Sequence, residues 1–205
     1  MISGPSAGDD PAKVDWRLVL GLGNPGTEYD GTRHNVGFEA LDLLAGRLGL
    51  TWKAEGRALR AVSEEHRAVL VKPTTYMNRS GIALRAAWLE YGLEDPAALL
   101  VITDDFHLPL GALRLRAQGS PGGHNGLASL DDQLGCGDYP RLRIGVGDPG
   151  KDSVDFVLSR FSPAEQPVVE ETLETASWAA EDWLKSMSFD LLQGRYNRRT
   201  PQAGS

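Results

Sequence analysis

Leu18–Gly37, LVLGLGNPGTEYDGTRHNVG, decides how the rest of the chain is read. The apolar run Trp16–Leu22 has the length of a central strand, and Gly23–His34 is loop. Val36, Ala40, Leu41, Leu44 and Leu48 then recur at helical spacing up to Gly49, with Asn35 placed to cap the helix. Gly21-x-Gly23-x-x-Gly26 matches the dinucleotide fingerprint in letters only. That fingerprint needs a helix starting within the glycines, so that its N-terminus faces a pyrophosphate. Pro25, Gly26, Asp30 and Gly31 delay the helix here to about Asn35. The second strand that should end in an acid about 20 residues on is replaced by an amphipathic helix carrying Asp42. The glycines read instead as a tight turn that aims Asn24 at a cleft.

Working outward, Leu59–Val62 and Ala68–Lys72 read as strands about a polar turn, and a helix runs from about Ser80 to Tyr91. Ala98–Thr103 is a β run ending at Asp104-Asp105, and Gly111–Arg116 alternates Leu with Arg as a half-exposed strand does. Gln118–Gly126 is glycine-rich, Leu127–Leu134 a short helix, and Arg141–Gly147 a last strand. Val154–Phe161 is ambiguous, Pro163–Ser186 reads as a long helix, and Phe189–Asn197 as a further helical segment. Alternating strands and helices, with hairpin-like pairs among them, predict an α/β single domain: a twisted mixed β-sheet enclosed by α-helices. Ligands in such folds sit beyond the carboxyl ends of strands. That singles out the segments after the first strand, after Ile102 and after Arg116.

The chain has 205 residues, 41% of them hydrophobic, enough for one large domain. We expect a disordered extension over 1–14, the domain over 15–199 and a flexible tail over 200–205. Met1–Asp15, rich in Gly, Pro and Asp, does not resemble a signal peptide, no apolar run approaches about 18 residues, and the single cysteine, Cys136, fits a reducing cytoplasm. The net charge of −7 speaks against a nucleic-acid partner, but the charges are segregated. Acids crowd Pro163–Asp182, while Arg114, Arg116, Arg141, Arg143, Arg195, Arg198 and Arg199 leave room for a local basic face.

His34 is the sharpest chemical candidate, because imidazole titrates near pH ~6.5 and can take a proton from water. Its bland alternative is a residue that caps the helix it precedes. Asp104 could hold the imidazole in one tautomer and stabilise imidazolium. Asp104-Asp105 could equally be a solvated loop pair or a magnesium ligand, though no supporting ligand pattern is present. Asn24, Asn35, Asn78 and Asn125 all sit at loops or helix starts, where asparagine is an ordinary cap or turn residue. Together, near a histidine, they offer uncharged donors and acceptors suited to peptide groups and to polarising a carbonyl. Gly122-Gly123-His124-Asn125-Gly126 is a second glycine loop bearing a histidine.

At these residues the chain resembles the bacterial-type peptidyl-tRNA hydrolases. The matching motifs run from Gly21–Gly26 with Tyr29, through Thr32–Gly37 and Lys72-Pro73 with Tyr76-Met77-Asn78-x-Ser80-Gly81, to Asp104-Asp105-x-x-Leu108-Pro109-x-Gly111. Gly119-Ser120-x-Gly122-Gly123-His124-Asn125-Gly126-Leu127 and Arg141–Gly147 complete the series over about Trp16–Asn197. The resemblance implies a monomeric, cytoplasmic esterase that uses no metal or cofactor, needs no obligate protein partner or membrane, and cuts the ester between peptide and tRNA. It implies His34 as the base, Asp104 as its partner and Asn24 as a catalytic-site residue that, with Asn78, holds substrate near the ester. Asn125 would bind the peptide side and help orient water; Tyr29, Tyr76, Met77 and His124 would line the cleft. Arg114, Arg116, Arg141 and Arg143 sit where the family's basic surface takes tRNA phosphate. A non-catalytic RNA-binding relative, acting as a structural or splicing partner, is the alternative. The chain departs from the family pattern at Thr103, His107 and Asp148, the last at the start of a lid-like segment, Asp148–Phe161. A neutral site of this kind should prefer an acylated amine, since an unpaired buried ammonium costs several kcal/mol.

Overall fold

A computed structural model of the chain describes residues 16–150 and 152–197. The expected extension over 1–14, the tail over 200–205, and Arg198 and Arg199 lie outside the described residues. β1 (Arg17–Gly21) is the centre of the sheet. It pairs in parallel with β4 (Ala68–Pro73) on one side and β5 (Leu99–Asp105) on the other. β7 (Arg141–Gly145) extends the parallel part beyond β5. Antiparallel strands close both edges: β3 (Ala58–Ser63) and β2 (Lys53–Glu55) beside β4, and β6 (Leu113–Arg116) beside β7. The seven-stranded order is β2-β3-β4-β1-β5-β7-β6, the mixed sheet expected from the sequence.

Strand periodicity divides the core between the two faces. Val19, Leu70, Leu100, Ile102, Leu142 and Ile144 pack under α1 (Val36–Arg47), α5 (Gln166–Leu184) and α6 (Phe189–Tyr196). Leu18, Leu20, Val69, Val71 and Val101 pack under α2 (Ser80–Glu90) and α3 (Asn125–Leu134). Among the described residues no helix is long and apolar enough to cross a membrane. Two elements go beyond the sequence reading. β2 is three residues, KAE, with no apolar alternation to betray it, and the ambiguous Val154–Phe161 stretch overlaps α4 (Ser153–Leu158).

The glycines of the opening loop need a corrected explanation. Only Gly26 and Gly31 have a left-handed φ, at 114° and 73°. Gly21 and Gly23 are there for close approach: a Cβ on Gly21 would lie 2.3 Å from the Gly37 carbonyl, and one on Gly23 would lie 2.7 Å from the Phe38 ring. Gly37 reciprocates, since its Cβ would meet the Leu22 and Ile102 carbonyls at 2.5 and 2.6 Å. The start of α1 therefore rests directly on the ends of β1 and β5, and this contact is what brings His34 to Asp104.

Candidate active site

Asp104, the penultimate residue of β5, has its side chain buried. Its Oδ1 lies 3.0 Å from His34 Nδ1 and 2.8 Å from His124 Nε2. The tautomer of His124 follows from its other nitrogen, which accepts from the Gly126 and Leu127 N–H groups at 3.1 and 3.3 Å. His124 therefore caps α3 with Nδ1 and donates Nε2–H to Asp104, with Thr103 Oγ1 also 3.0 Å from Nε2. His34 likewise presents Nδ1–H to the carboxylate. Its Nε2 has no hydrogen bond among the described residues, so that lone pair is left to the cleft. Burial alone would raise the Asp104 pKa. The two imidazoles, His124 ahead of His34, more than reverse this and hold the carboxyl well below the usual carboxylate range.

His34, Asp104 and His124 are also the group of side chains close enough to share a metal ion. Their chemistry does not suit one. His124 Nε2 bears the proton, and both imidazoles are turned onto one carboxylate oxygen rather than onto a common vacant point. The magnesium reading of Asp104-Asp105 also fails: Asp105 pairs with Arg143 at 3.0 Å and accepts from the His107 N–H at 2.9 Å.

The loop after β1 is fixed by an amide exchange that the sequence reading missed. Asn35 does not cap α1 with its side chain. Its Oδ1 accepts from the Asn24 N–H at 2.8 Å, and its Nδ2 donates to the Asn24 carbonyl at 3.0 Å. Asn24 Oδ1 in turn accepts from the Met77 N–H at 2.8 Å. A backbone N–H can only meet the oxygen of a carboxamide, so Asn24 Nδ2 is oriented as a donor without a protein partner among the described residues. Asn24, His34, Tyr76, Met77, Asn78, Asp104, His124 and Asn125 line one cleft. Asn78 and Asn125 are exposed on its rim. Tyr29 stands outside the lining and packs edge-on against Tyr76, with ring centres 6.4 Å apart. Phe106 and the α4 residues Ser153, Val154, Val157 and Leu158 complete the wall. Four of these five fall within the lid-like segment Asp148–Phe161, but an apolar stripe on a six-residue helix carries no signal of which residues face the cleft.

The route of His124 also differs from expectation. β6 runs antiparallel to β7, pairing Arg116 with Arg141 and Leu113 with Ile144, so its carboxyl end points away from Asp104. The chain returns across the sheet, held where the Arg141 and Arg143 guanidinium groups both donate to the Ser120 carbonyl, at 2.8 and 2.9 Å.

That register corrects the basic face. Arg114 is opposite Arg143 and Arg116 opposite Arg141, on the side of the sheet away from Leu113 and Leu115. Arg114 and Arg116 are exposed and enter no ion pair among the described residues. Arg143 is partly open while paired with Asp105. Arg141 is fully buried, stacks on Tyr139 with its guanidinium carbon 4.4 Å from the ring centre, and bonds Asp131 and the Gly137 carbonyl. It is a core residue and cannot reach a phosphate; alternation along the strand could not reveal that its neighbours turn inward over it. At the departures, Thr103 supports His124, His107 lies over Phe106, and Asp148 accepts from the Gly150 N–H.

Comparison with known proteins agrees with this architecture. The family model described as peptidyl-tRNA hydrolase matches residues 18–203. The peptidyl-tRNA hydrolase of Synechocystis sp. is 48% identical over 169 residues, 80% of this chain and 87% of the relative. That of Chloroflexus aggregans is 45% identical over 185 residues, 88% of this chain and 98% of the relative. The crystal structure of the Acinetobacter baumannii peptidyl-tRNA hydrolase superposes with a TM-score of 0.83 at 31% identity, covering 94% of this chain and 98% of that one. With motifs, fold and relatives in agreement, this chain belongs to the peptidyl-tRNA hydrolase family.

Proposed function

We propose that the chain hydrolyses the ester joining a peptide to the terminal ribose of tRNA, with His34 as the general base. Family membership carries the reaction. The observation that carries the assignment of the base is the His34 ring, held through Nδ1 at 3.0 Å from a buried carboxylate with Nε2 left open to the cleft. His34 Nε2 takes a proton from water as the water oxygen attacks the ester carbonyl. Asp104 stabilises the imidazolium that forms. The tetrahedral oxyanion accepts from carboxamide donors, of which Asn24 Nδ2 is the most firmly oriented. Collapse breaks the bond to the ribose oxygen, and the imidazolium returns its proton there. Asn78 and Asn125, on the rim, hold the peptide amides, with Tyr76 and Met77 beside them. Arg114, Arg116 and the open edge of Arg143 take tRNA phosphates. The reading has the enzyme act as a monomer in the cytoplasm. No observation favours the non-catalytic alternative.

Single-turnover hydrolysis of N-acetyl-aminoacyl-tRNA tests this. The wild type should release free tRNA, and His34→Ala should be slower by about 10²–10⁴-fold. An inactive wild type removes the esterase reading; full activity in His34→Ala removes the base assignment.

A further inference from the structure

The 3-10 turn Arg33–Asn35 sends three consecutive side chains to three places. Asn35 goes to the Asn24 loop and His34 to Asp104. Arg33 turns away from the cleft and is 6% exposed. Its guanidinium carbon lies 4.4 Å from the Phe156 ring centre and 4.5 Å from that of Phe161. Nη1 donates to the Val146 carbonyl at 2.8 Å, Nη2 to both Glu165 oxygens at 2.9 Å, and Nε lies 3.4 Å from Ser159 Oγ. The backbone joins in, with the Arg33 N–H donating to the Ser159 carbonyl at 3.0 Å and Thr32 bridging to Arg160.

These contacts surround the end of α4. A helix of six residues is not stable by itself. Phe156 points from α4 to Arg33, while Ser153, Val154, Val157 and Leu158 line the cleft. A planar guanidinium can stack between two rings and still grip a carboxylate with its edge; an ammonium cannot. His34 itself makes its side-chain bond to Asp104 on β5 and none to α4 among the described residues.

We propose that Arg33 is a positioning residue: it fixes α4 as the wall of the cleft and so sets substrate affinity without taking part in proton transfer. The kinetic part of this proposal rests on the esterase reading; the structural part does not. The test compares Arg33→Lys, Phe156→Leu and the double variant in steady-state hydrolysis of N-acetyl-aminoacyl-tRNA. Amide hydrogen exchange over 153–161 is measured without substrate. Each single variant should raise KM about tenfold with kcat within about threefold and an unchanged pH profile, and the double should be no worse than Arg33→Lys. Exchange over 153–161 should accelerate while β1 and β5 stay protected. Unchanged KM, strictly additive effects, or a loss confined to kcat with a shifted pH profile would each overturn the proposal. If Arg33→Lys does not fold, KM and exchange in Phe156→Leu decide alone. If the wild type hydrolyses nothing, the esterase reading fails, and exchange still decides whether Arg33 holds α4.

Discussion

Asp104 at the end of β5 and Glu39 in the first turn of α1 are both carboxylates withdrawn from water, and folding moves them in opposite directions. Burial acts on both in the same sense, upward. At Asp104 the His124 and His34 imidazoles reverse it, and one oxygen receives both rings. At Glu39 burial is opposed by the Gly31 N–H, reinforced by the charges of Asp42 and Asp30, and pushes the carboxyl up to about 7. Glu39 Oε1 is buried with no hydrogen-bond partner among the described residues, as is Asp104 Oδ2, so an orphaned oxygen does not separate the two. Burial alone therefore does not make a catalytic acid. The candidate active site is where a buried charge has been given donors that themselves have work to do.

Removing the charge while keeping the shape breaks the comparison most severely. Asp104→Asn can still accept both ring N–H groups but cannot stabilise imidazolium, so the single-turnover rate should fall by about 10²–10⁴-fold. A variant retaining more than a tenth of the wild-type rate would make Asp104 a structural residue.

The same contrast holds for cations across the β6–β7 ladder. Arg141→Met strips a buried pair from Asp131 and should cost about 3 kcal/mol in urea unfolding, leaving the salt dependence of tRNA binding alone. Arg116→Gln should do the reverse, with near wild-type stability and a log–log salt slope smaller by about one. Equal salt slopes for the two variants would place the tRNA surface elsewhere.

The smallest effect is expected at Glu39. Its folded pKa is raised, so its contribution to stability is present below the unfolded carboxylate value of 4.5 and is lost as pH rises through about 7. Asp104 has the opposite sign, since its depressed pKa favours the fold above the unfolded value and loses that contribution in acid. Glu39→Gln should therefore stabilise the protein at pH 8 by about 1–2 kcal/mol, allowing for solvent screening, with the gain fading as pH falls toward 4.5. A gain independent of pH would mean that packing, not ionisation, governs Glu39.

Much of this was legible in the chain because local chemistry is local. The helix from Val36, the alternation Leu113–Arg116 and the acid ending β5 each follow from periodicity over a few residues. The type of a side chain is local, but its partner is not. Asn35 stands at the N-cap position the sequence predicts, yet its carboxamide is taken by Asn24, 11 positions away, and Arg141, expected at phosphate, is held by Asp131, 10 positions away.

The sequence by itself determined the α/β sheet, the loop that carries Asn24 and His34, and the set of residues able to perform ester hydrolysis. Only the tertiary structure decided that two histidines share one oxygen of Asp104, that α4 walls the cleft, and that four arginines on one sheet face divide into core and surface. The physical reason is range. Periodicity and turn chemistry act over a few residues, whereas the desolvation and pairing of a charge depend on whatever the fold packs around it.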